Sequence, residues 1–338
     1  MKVKINAWAV KKPKARFEKF VYEKNIEEQE VLVAVKYCGL SRGDVCFVDN
    51  FWGDTSYPLI PGVEIFGVIK KKGKKVKGFK INDFVGMGYQ MSSCLKCEHC
   101  REGKEQFCKK QKVISVNGYG GLADGIVFDS RFVFKIPPDL RTPSDVPLMC
   151  SGLTVYSAIK KANVKTGMKV GVAGVGNLGH LAVQILNKIG CEVTAFSHTK
   201  KKEAILRKLG AEYFVNSIDK KSLKEAKGKY DVILSTSSVS LNWPAYIEAL
   251  KPQGNLCIVG LPEKDISFPP VLLADYAQRG VLGSYVGSRS EMKELLNFVS
   301  KNHLKAITEV FPIAEVNAVV SKIRNKSIPF SVVVKTGR

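Results

Sequence analysis

A glycine-rich turn between a short apolar strand and a helix is the feature that most constrains the fold of this chain. The apolar segment Val170–Ala173 runs directly into Gly174-Val175-Gly176-Asn177-Leu178-Gly179, which opens a helical pattern that continues to Gly190. In this context the first glycine allows a tight turn, the second lets the backbone approach a phosphate, and the third lets the helix pack against the strand. The N–H groups at the start of the helix then face the anion. We therefore expect a dinucleotide site rather than a glycine turn without a ligand. The predicted contacts are Gly174, Val175, Gly176, Asn177, Leu178 and Gly179.

From about Lys169 onward, strand and helix patterns alternate along the chain. Parallel strands need a crossover connection, so such an alternation is typical of a doubly wound parallel sheet. The predicted strands are Lys169–Ala173, Glu192–Phe196, Tyr213–Asn216, Asp231–Thr236, Asn255–Val259 and Val281–Tyr285. The predicted helices are His180–Ile189, Lys200–Leu209, Lys220–Lys227 and Trp243–Leu250. The sequence therefore predicts an α/β fold.

The residues before this region form a different pattern. Short β segments separated by glycine turns, Glu30–Tyr37, Ile65–Lys70 and Asp83–Gly88, predict a β-rich, partly open barrel. A helix at Glu291–Lys301 and a terminal strand at Ser331–Lys335 have no place in a sheet that is already complete. We expect them to return to the first domain.

The residues after the second predicted strand of the parallel sheet indicate which coenzyme binds. Enzymes that use NAD place an Asp or Glu there, about twenty residues past the first glycine, on the ribose 2′-hydroxyl. Here Glu192–Phe196 is followed by Ser197-His198-Thr199-Lys200-Lys201-Lys202, without an acid. Hydroxyl and ammonium groups suit a 2′-phosphate, which a carboxylate would repel, so we predict NADP(H). The predicted contacts are Ser197, His198, Thr199 and Lys202, although the lysines also fit the start of a solvated helix.

Four cysteines lie in one short loop, Cys94, Cys97, Cys100 and Cys108, in the spacing C-x2-C-x2-C-x7-C. Four thiolates at this density match a closed tetrahedral zinc site, which is structural rather than catalytic. The competing interpretation is an iron–sulfur cluster, whose bacterial pattern places the fourth cysteine after three residues and follows it with proline. Here the gap is seven residues and Lys109 follows. We therefore predict one structural zinc ion per chain.

The net charge of +22, from 53 basic and 31 acidic residues, raises the question of an anionic partner. The lysines occur in short clusters without the interleaved aromatic residues of a groove for single-stranded nucleic acid. We expect a solvated lysine-rich surface and no nucleic-acid partner. No stretch reaches about eighteen uninterrupted apolar residues, and the first residues lack a signal-peptide pattern. We therefore expect a cytoplasmic protein without a membrane partner.

Together, the cysteine loop and the glycine turn resemble those of the zinc-containing medium-chain alcohol dehydrogenases, in particular the cinnamyl alcohol dehydrogenase branch. The resemblance runs nearly end to end. Further matching segments are Tyr57-Pro58-Leu59-Ile60-Pro61-Gly62, Cys150-Ser151-Gly152-Leu153-Thr154-Val155-Tyr156, Val259-Gly260-Leu261-Pro262 and Gly283-Ser284-Tyr285-Val286-Gly287.

The resemblance implies the domain organisation and further contacts. It implies a GroES-like catalytic domain at residues 1–147 and 288–338, with the zinc lobe at about 90–110, and a Rossmann NADP-binding domain at residues 148–287. It also implies a homodimer joined at the edge strand near Val281–Val286. The further coenzyme contacts that it implies are Arg42, Thr154, Thr236, Gly260 and Ser284.

The catalytic zinc site of this family is only partly present in the chain. Members usually carry Cys-Gly-x-Cys-His-Thr-Asp, in which the second Cys binds zinc and the Thr begins a proton relay. The corresponding segment is Cys38-Gly39-Leu40-Ser41-Arg42-Gly43-Asp44, and Val63 replaces the histidine of the family's Gly-His-Glu. Cys46 matches the later histidine of the relay. Only Cys150 and Glu64 remain, and since a catalytic zinc needs about three protein ligands, we do not expect one.

These observations favour an NADPH-dependent oxidoreductase that transfers hydride to an activated carbonyl, alkene or iminium substrate without a catalytic zinc. The candidate catalytic residues are Ser41, Asp44, Glu64 and Cys150, each of which is equally well interpreted as a polar group hydrogen-bonded inside the former zinc site. Two alternatives stay open. One is a conventional zinc-dependent alcohol dehydrogenase or aldehyde reductase with a rebuilt metal site. The other is a non-catalytic NADPH-binding protein on the same scaffold.

Overall fold

In the computed structural model, which describes residues 1–337, the chain forms both helices and strands throughout. The strands are β1 (Lys2–Ala9), β2 (Glu18–Asn25), β3 (Glu30–Leu40), β4 (Glu64–Lys72), β5 (Phe84–Met87), β6 (Gln90–Ser92), β7 (Lys112–Val113), β8 (Gly125–Asp129), β9 (Phe134–Lys135), β10 (Lys169–Ala173), β11 (Glu192–Ser197), β12 (Tyr213–Asn216), β13 (Tyr230–Ser235), β14 (Leu250–Ile258), β15 (Gly280–Gly283), β16 (Thr308–Pro312) and β17 (Ser331–Lys335). The α-helices are α1 (Arg42–Val48), α2 (Glu98–Arg101), α3 (Ser151–Lys161), α4 (Asn177–Ile189), α5 (Glu203–Lys208), α6 (Lys220–Glu225), α7 (Trp243–Glu248), α8 (Val271–Ala274), α9 (Arg289–Asn302) and α10 (Val316–Arg324).

These elements belong to two compact units. Unit 1 contains Met1–Cys150 together with the segment that begins at Ser288, and unit 2 contains Ser151–Gly287.

Unit 1 is built on a seven-stranded sheet with the strand order β16-β17-β3-β4-β5-β9, and β8 also pairs with β3. The long strand β3 organises the sheet because its first half pairs with β8 and its second half with β17. Val31, Val33 and Val35 alternate with more exposed residues along β3 and are buried in one of the cores of the unit. The C-terminal strand β17 is thus part of the first sheet, as the sequence predicts.

Unit 2 contains a six-stranded parallel sheet with the order β12-β11-β10-β13-β14-β15. Its first strand in the chain, β10, is central and almost completely buried, as expected for a strand covered on both faces. The order reverses direction at β10, because the chain moves outward first through β11 and β12 and then through β13 to β15. The predicted doubly wound parallel sheet is therefore confirmed.

Several boundaries differ from the predictions. The sequence predicts one helix over Lys200–Leu209, but Lys200–Lys202 is a 3₁₀ turn and α5 begins at Glu203. Strand β14 begins at Leu250 rather than Asn255, and its pairing with β13 is irregular. Pro252 and Gly254 are typical of turns, so the sequence does not indicate a strand there. The edge strand β15 ends at Gly283 rather than Tyr285.

Among residues 1–337, no helix combines the length and the apolar composition that crossing a membrane requires.

Candidate functional site

The turn between β10 and α4 has a shape that only glycine permits. Gly174 has a φ of +87°, and a Cβ on it would lie 2.9 Å from atoms of Ser237. A Cβ on Gly179 would lie 2.5 Å from the carbonyl oxygen of Gly174. The residue at the N-cap of α4 is Gly176, so no side chain at this position competes with an anion for the N–H groups of the first turn. The cradle fits a pyrophosphate.

Two further predicted coenzyme contacts, Thr236 and Gly260, lie beside this turn. The Thr236 hydroxyl donates to the carbonyl oxygen of Gly174 at 2.5 Å. A Cβ on Gly260 would lie 2.6 Å from the carbonyl carbon of Thr236, so the backbone is closely packed here as well. Thr236 thus fixes the first peptide of the turn from the end of the neighbouring strand.

The remaining contacts predicted in unit 2 have varied positions. The Ser284 hydroxyl and N–H both donate to the carbonyl oxygen of Ile258, at 3.0 Å and 3.1 Å, which holds the end of β15 to β14. The Asn177 amide donates to the Ser151 hydroxyl at 2.8 Å and connects the first residues of α4 and α3. Val175 is buried, whereas Leu178 and Thr154 are half-buried.

The segment after β11 carries the residues predicted to meet a 2′-phosphate. Ser197 is buried, and its hydroxyl accepts the N–H of Thr199 at 3.1 Å. His198 is exposed and Thr199 is half-buried. The ammonium group of Lys202 donates to the carbonyl oxygen of Val175 at 3.0 Å, and burial lowers its pKa below the ordinary 10.5. Lys202 therefore lies against the glycine turn rather than on a solvated helix, and this cation fits a phosphorylated dinucleotide.

His180, which the sequence patterns did not single out, is fully buried beneath the turn. Its ring Nδ1 lies 3.0 Å from the carbonyl oxygen of Gly176. Its backbone N–H donates to the same oxygen at 3.1 Å. Burial lowers the pKa of His180 to about 4, so the ring is neutral near pH 7. In the sequence, the only sign of this buried position is that His180 directly follows Gly179.

The four cysteines of the predicted zinc lobe converge. The Sγ atoms of Cys94, Cys97, Cys100 and Cys108 all lie within 4.8 Å of one another. A zinc ion about 2.3 Å from each sulfur places the sulfurs roughly 3.8 Å apart in a tetrahedron. The observed separations include 3.5 Å between Cys97 and Cys100 and 3.9 Å between Cys94 and Cys100. The arrangement fits a single ion rather than a cluster of several metals, which would hold its thiolates farther apart.

Backbone N–H groups support one of these thiolates. The N–H groups of Lys96 and Cys97 point to the Cys94 sulfur at 3.5 Å and 3.3 Å, and they lower the pKa of Cys94 to about 6. A cation needs the thiolate form, so this part of the loop is already suited to metal binding.

A buried ion pair attaches this lobe to the rest of unit 1. Glu105 is 2% exposed, and its Oε1 accepts from Nε of Arg289 at 2.8 Å and from Nη2 at 2.6 Å. The guanidinium also lies over the ring of Phe132, 5.1 Å from its centroid. The first residue of α9 therefore holds the lobe in place, a contact that no sequence motif revealed.

Ser41 and Asp44 form the N-terminal cap of α1. The Asp44 Oδ2 atom accepts the N–H of Ser41 at 2.8 Å and its hydroxyl at 3.0 Å. The Oδ1 atom accepts the N–H of Gly62 at 2.9 Å. Asp44 is 2% exposed, and burial raises its pKa while these N–H donors oppose the rise. This geometry favours a structural role for both residues over substrate binding or proton transfer.

Val63 and Glu64 follow the clamped Gly62. Val63, which stands at the family's histidine ligand, is buried in the core that contains Ile65 and Met87. Glu64 is 1% exposed, and its side chain lies over Gly39, where a Cβ would overlap with it. Burial and the neighbouring Asp44 and Glu64 raise the pKa of the Cys38 thiol.

The other residues predicted for this site also lie in unit 1. Cys150 is half-buried and packs against the core that contains Val63. Cys46 lies half-buried on α1, one turn after Arg42, whose guanidinium donates to the carbonyl oxygen of Arg324 at 3.5 Å. Within residues 1–337, the four lobe cysteines form the only group of three or more Cys, His, Asp or Glu side chains close enough together to hold a metal ion. The residues that remain of the former site therefore do not fit a catalytic zinc.

Two family models match the chain. The alcohol dehydrogenase GroES-like domain matches residues 27–138, and the zinc-binding dehydrogenase domain matches residues 177–301.

Relatives of known name match over almost the whole chain. An aldehyde reductase of Synechocystis sp. is 33% identical over 97% of this chain and 98% of its own length. A mannitol dehydrogenase of Petroselinum crispum is 36% identical over 91% of this chain and 94% of its own length.

Solved structures agree with this similarity. A cinnamyl alcohol dehydrogenase of Sorghum bicolor superposes with a TM-score of 0.94 at 29% identity, covering 99% of this chain and 98% of that chain. The CAD of Helicobacter pylori complexed with NADP(H) has a TM-score of 0.93 at 29% identity, covering 99% of both chains. The similarity therefore extends over both compact units.

Proposed function

The chain belongs to the zinc-containing medium-chain alcohol dehydrogenases, in the cinnamyl alcohol dehydrogenase branch, and on that premise we propose that it is an NADPH-dependent oxidoreductase that works without a catalytic zinc. Its place among alcohol, aldehyde and mannitol dehydrogenases makes it an oxidoreductase. We further propose which coenzyme it uses, how many zinc ions it holds and what kind of acceptor it reduces.

Unit 2 is proposed to hold the coenzyme. When bound, NADPH supplies the hydride. The β10–α4 turn binds the pyrophosphate through backbone N–H groups, because Gly174 forms the tight turn and Gly176 at the N-cap places no side chain over the first N–H groups of α4. Thr199 and Lys202 bind the 2′-phosphate. Support for this preference comes from the position of Lys202 against the turn and from the related structure complexed with NADP(H).

Unit 1 is proposed to be the catalytic domain, with zinc only in its four-cysteine lobe. The observation that carries this proposal is the combination of a buried, core-packed Val63 at the histidine position with the absence, among the residues described, of any metal-binding group besides the lobe. One zinc ion per chain then stabilises the lobe. A closed four-thiolate site leaves no position for substrate, so this ion is structural rather than catalytic.

Without a catalytic metal, the protein does not provide the Lewis acid that stabilises developing charge on a substrate oxygen, an effect worth several kcal/mol in metalloenzymes. The proposed acceptors are therefore intrinsically activated: a conjugated carbonyl, an activated alkene or an iminium ion. Reduction of a neutral acceptor needs one proton in addition to the hydride. Glu64 and Cys150 are the proposed proton-handling groups, because Ser41 and Asp44 are engaged with each other at the start of α1.

The test is NADPH oxidation with a conjugated enal, a quinone, a cyclic iminium salt and a saturated aldehyde, each with and without a chelator. We expect turnover of at least one activated acceptor and no inhibition by the chelator while the zinc content stays at one per chain. Turnover of saturated aldehydes that the chelator abolishes would instead establish the conventional zinc-dependent alternative. Tight NADPH binding with no turnover of any acceptor would favour the non-catalytic alternative.

The proposed partners are a small-molecule substrate and a second copy of the chain. Strand β15 lies at the edge of the parallel sheet, and exposed apolar side chains occur near it in the sequence, among them Tyr276 and Tyr285. Both features suit a homodimer that continues the sheet.

A further inference from the structure

Two consecutive carbonyl groups of the glycine turn are each bound by a side chain from outside it. The Val175 carbonyl oxygen accepts from the Lys202 ammonium at 3.0 Å, and the Gly176 carbonyl oxygen lies 3.0 Å from Nδ1 of His180. His180 is fully buried and Lys202 is half-buried. The two side chains approach the turn from α4 and from the residue before α5.

The direction of a carbonyl group determines the direction of the next N–H group. A peptide unit is planar and trans, so its C=O and N–H point in opposite directions. The Gly176 carbonyl oxygen accepts the backbone N–H of His180 at 3.1 Å and meets its ring at 3.0 Å, and the two contacts together direct the N–H of Asn177 to the opposite side. This N–H belongs to the first turn of α4, where a pyrophosphate binds in the proposed function.

The chemistry of the imidazole suits this contact. A carbonyl oxygen only accepts hydrogen bonds, so Nδ1 must carry the proton, and the neutral ring supplies one such donor. Burial keeps the ring neutral by lowering its pKa to about 4. The charged group that faces it is Lys202, which also disfavours a second positive charge. The neutral ring of His180 therefore has one donor, which lies against the backbone of Gly176 and Asn177 and adds to the backbone N–H bond from His180 to Gly176.

We propose that His180 is a positioning residue for the coenzyme, which holds the Gly176 peptide in the orientation that directs the Asn177 N–H toward the pyrophosphate. It contacts neither the coenzyme nor the substrate in this role. The proposal rests on the proposed coenzyme site in unit 2, and it adds a residue that the glycine pattern does not contain. The pyrophosphate is common to NADPH and NADH, so His180 supports both coenzymes equally, whereas Lys202 distinguishes between them.

The experiment compares His180→Leu and His180→Asn in the full chain. Leucine fills a similar volume without a donor, whereas the asparagine amide places an N–H close to the position of Nδ1. Binding of NADPH and of NADH is measured by titration of coenzyme fluorescence, which needs no turnover. Thermal unfolding of each variant is recorded in parallel.

We expect His180→Leu to weaken both coenzymes by the same factor, roughly three- to tenfold, as loss of one hydrogen bond predicts. His180→Asn is expected to stay within about twofold of the wild type. Wild-type affinity in His180→Leu would overturn the proposal, and so would equal losses in both variants, because the donor would then not be the cause. A loss confined to NADPH would also overturn it.

These outcomes are distinct from failure of the proposed function. If the unsubstituted protein binds neither coenzyme, the coenzyme site and the role of His180 are both refuted. If it binds NADPH and the two variants behave alike, only the role of His180 is refuted. If His180→Leu unfolds below the assay temperature, the comparison of His180→Asn with the wild type decides, since a loss of affinity in a folded, donor-carrying variant contradicts the proposal.

Discussion

The carboxylate of Asp44 connects the N-terminus of α1 to the backbone segment that carries a zinc ligand in related dehydrogenases. Its two oxygens accept from Ser41 and Gly62. The acid thus retains a function in a chain that has Val63 in place of the histidine: it fixes the backbone. On this account, the local structure depends on Asp44 whether or not a catalytic metal is bound nearby.

Replacement of Asp44 tests this structural role. Asp44→Ala leaves the buried N–H of Gly62 and the N–H of Ser41 without their acceptor, and we expect the free energy of unfolding to fall by about 2 to 4 kcal/mol. Ser41→Ala removes only the hydroxyl contact and is expected to cost about 1 kcal/mol. Urea unfolding of both variants measures the difference. Equal, small losses would contradict the role of Asp44.

Lys202 is expected to determine the preference for NADPH. Lys202→Ala should reduce the ratio of kcat/KM for NADPH over NADH by roughly tenfold or more, because a charged hydrogen bond is lost. Lys201 is exposed, and Lys201→Ala is the matched control that leaves the ratio nearly unchanged. An unchanged ratio in Lys202→Ala would assign the 2′-phosphate to other groups.

The same lysine gives the preference a pH dependence. As pH rises through the pKa of Lys202, the amine becomes neutral and no longer attracts the phosphate, so the preference for NADPH falls. Burial lowers this pKa below 10.5, and the fall should begin at a lower pH than an exposed lysine would give. The pH profile of the kcat/KM ratio, with Lys202→Ala as the flat reference, measures it.

Single-residue roles were only partly predictable from the sequence. The spacing of Ser41 and Asp44 is a capping-box pattern, so their structural role was readable beside the catalytic one. The contact of Lys202 with Val175 joins residues that are far apart in the chain, so no spacing pattern predicts it. His180 and Gly176 are four residues apart at the start of one helix, but the glycine pattern assigns no role to the residue after Gly179.

At the scale of elements, short helix α2 and its neighbouring loop depend on a contact from α9. The buried Glu105 is paired with Arg289 at the start of α9. Within the lobe, the amide of Gln90 also donates to the carbonyl oxygen of Glu105 and to the side chain of Gln111. The ion pair adds the connection to α9, and we expect the proposed zinc ion to add to both.

Arg289→Met is expected to reduce the free energy of unfolding by about 3 kcal/mol, because it leaves the Glu105 carboxylate buried without its partner. Lys75→Met provides the control. Lys75 pairs with Glu28 at 2.6 Å, with 62% and 59% of the two side chains exposed, and an exposed pair contributes at most about 1 kcal/mol. Chemical denaturation of the two variants tests this, and similar losses would count against the anchoring role.

The elements themselves were largely predictable. Strand β17 has the predicted bounds, and α9 extends the predicted helix by a residue or two at either end. The hairpin of β1 and β2 was not predicted, although Val3 and Ile5 alternate with polar residues as a one-sided strand requires. Boundaries failed where tertiary pairing overrides local signals, as at β14, which continues through Pro252 and Gly254.

At the scale of the whole molecule, the edge of the parallel sheet is the expected site of self-association. The N–H of Ser284 bonds inward to Ile258, so the alternation of the strand directs the N–H of Gly283 outward. An edge that presents unpaired backbone groups is suited to pairing with a second copy.

Gly283→Lys tests the predicted homodimer. A Cβ at Gly283 would meet nothing within 4 Å, so the protomer accommodates the substitution. Two lysines brought together across a two-fold axis would repel each other and crowd the edge. We expect light scattering to show a dimer for the wild type and a shift toward monomer for the variant, with unchanged circular dichroism. A monomeric wild type would refute the dimer.

The central claim, hydride transfer without a catalytic zinc, is tested most directly by the zinc content per chain. Elemental analysis is made on protein never exposed to added metal, together with Cys94→Ser and Cys150→Ser. The account predicts one zinc in the wild type, one in Cys150→Ser and close to none in Cys94→Ser. Two zinc ions in the wild type and one in Cys150→Ser would contradict it, because Cys150 would then hold a second metal with partners that have replaced the lost ligands.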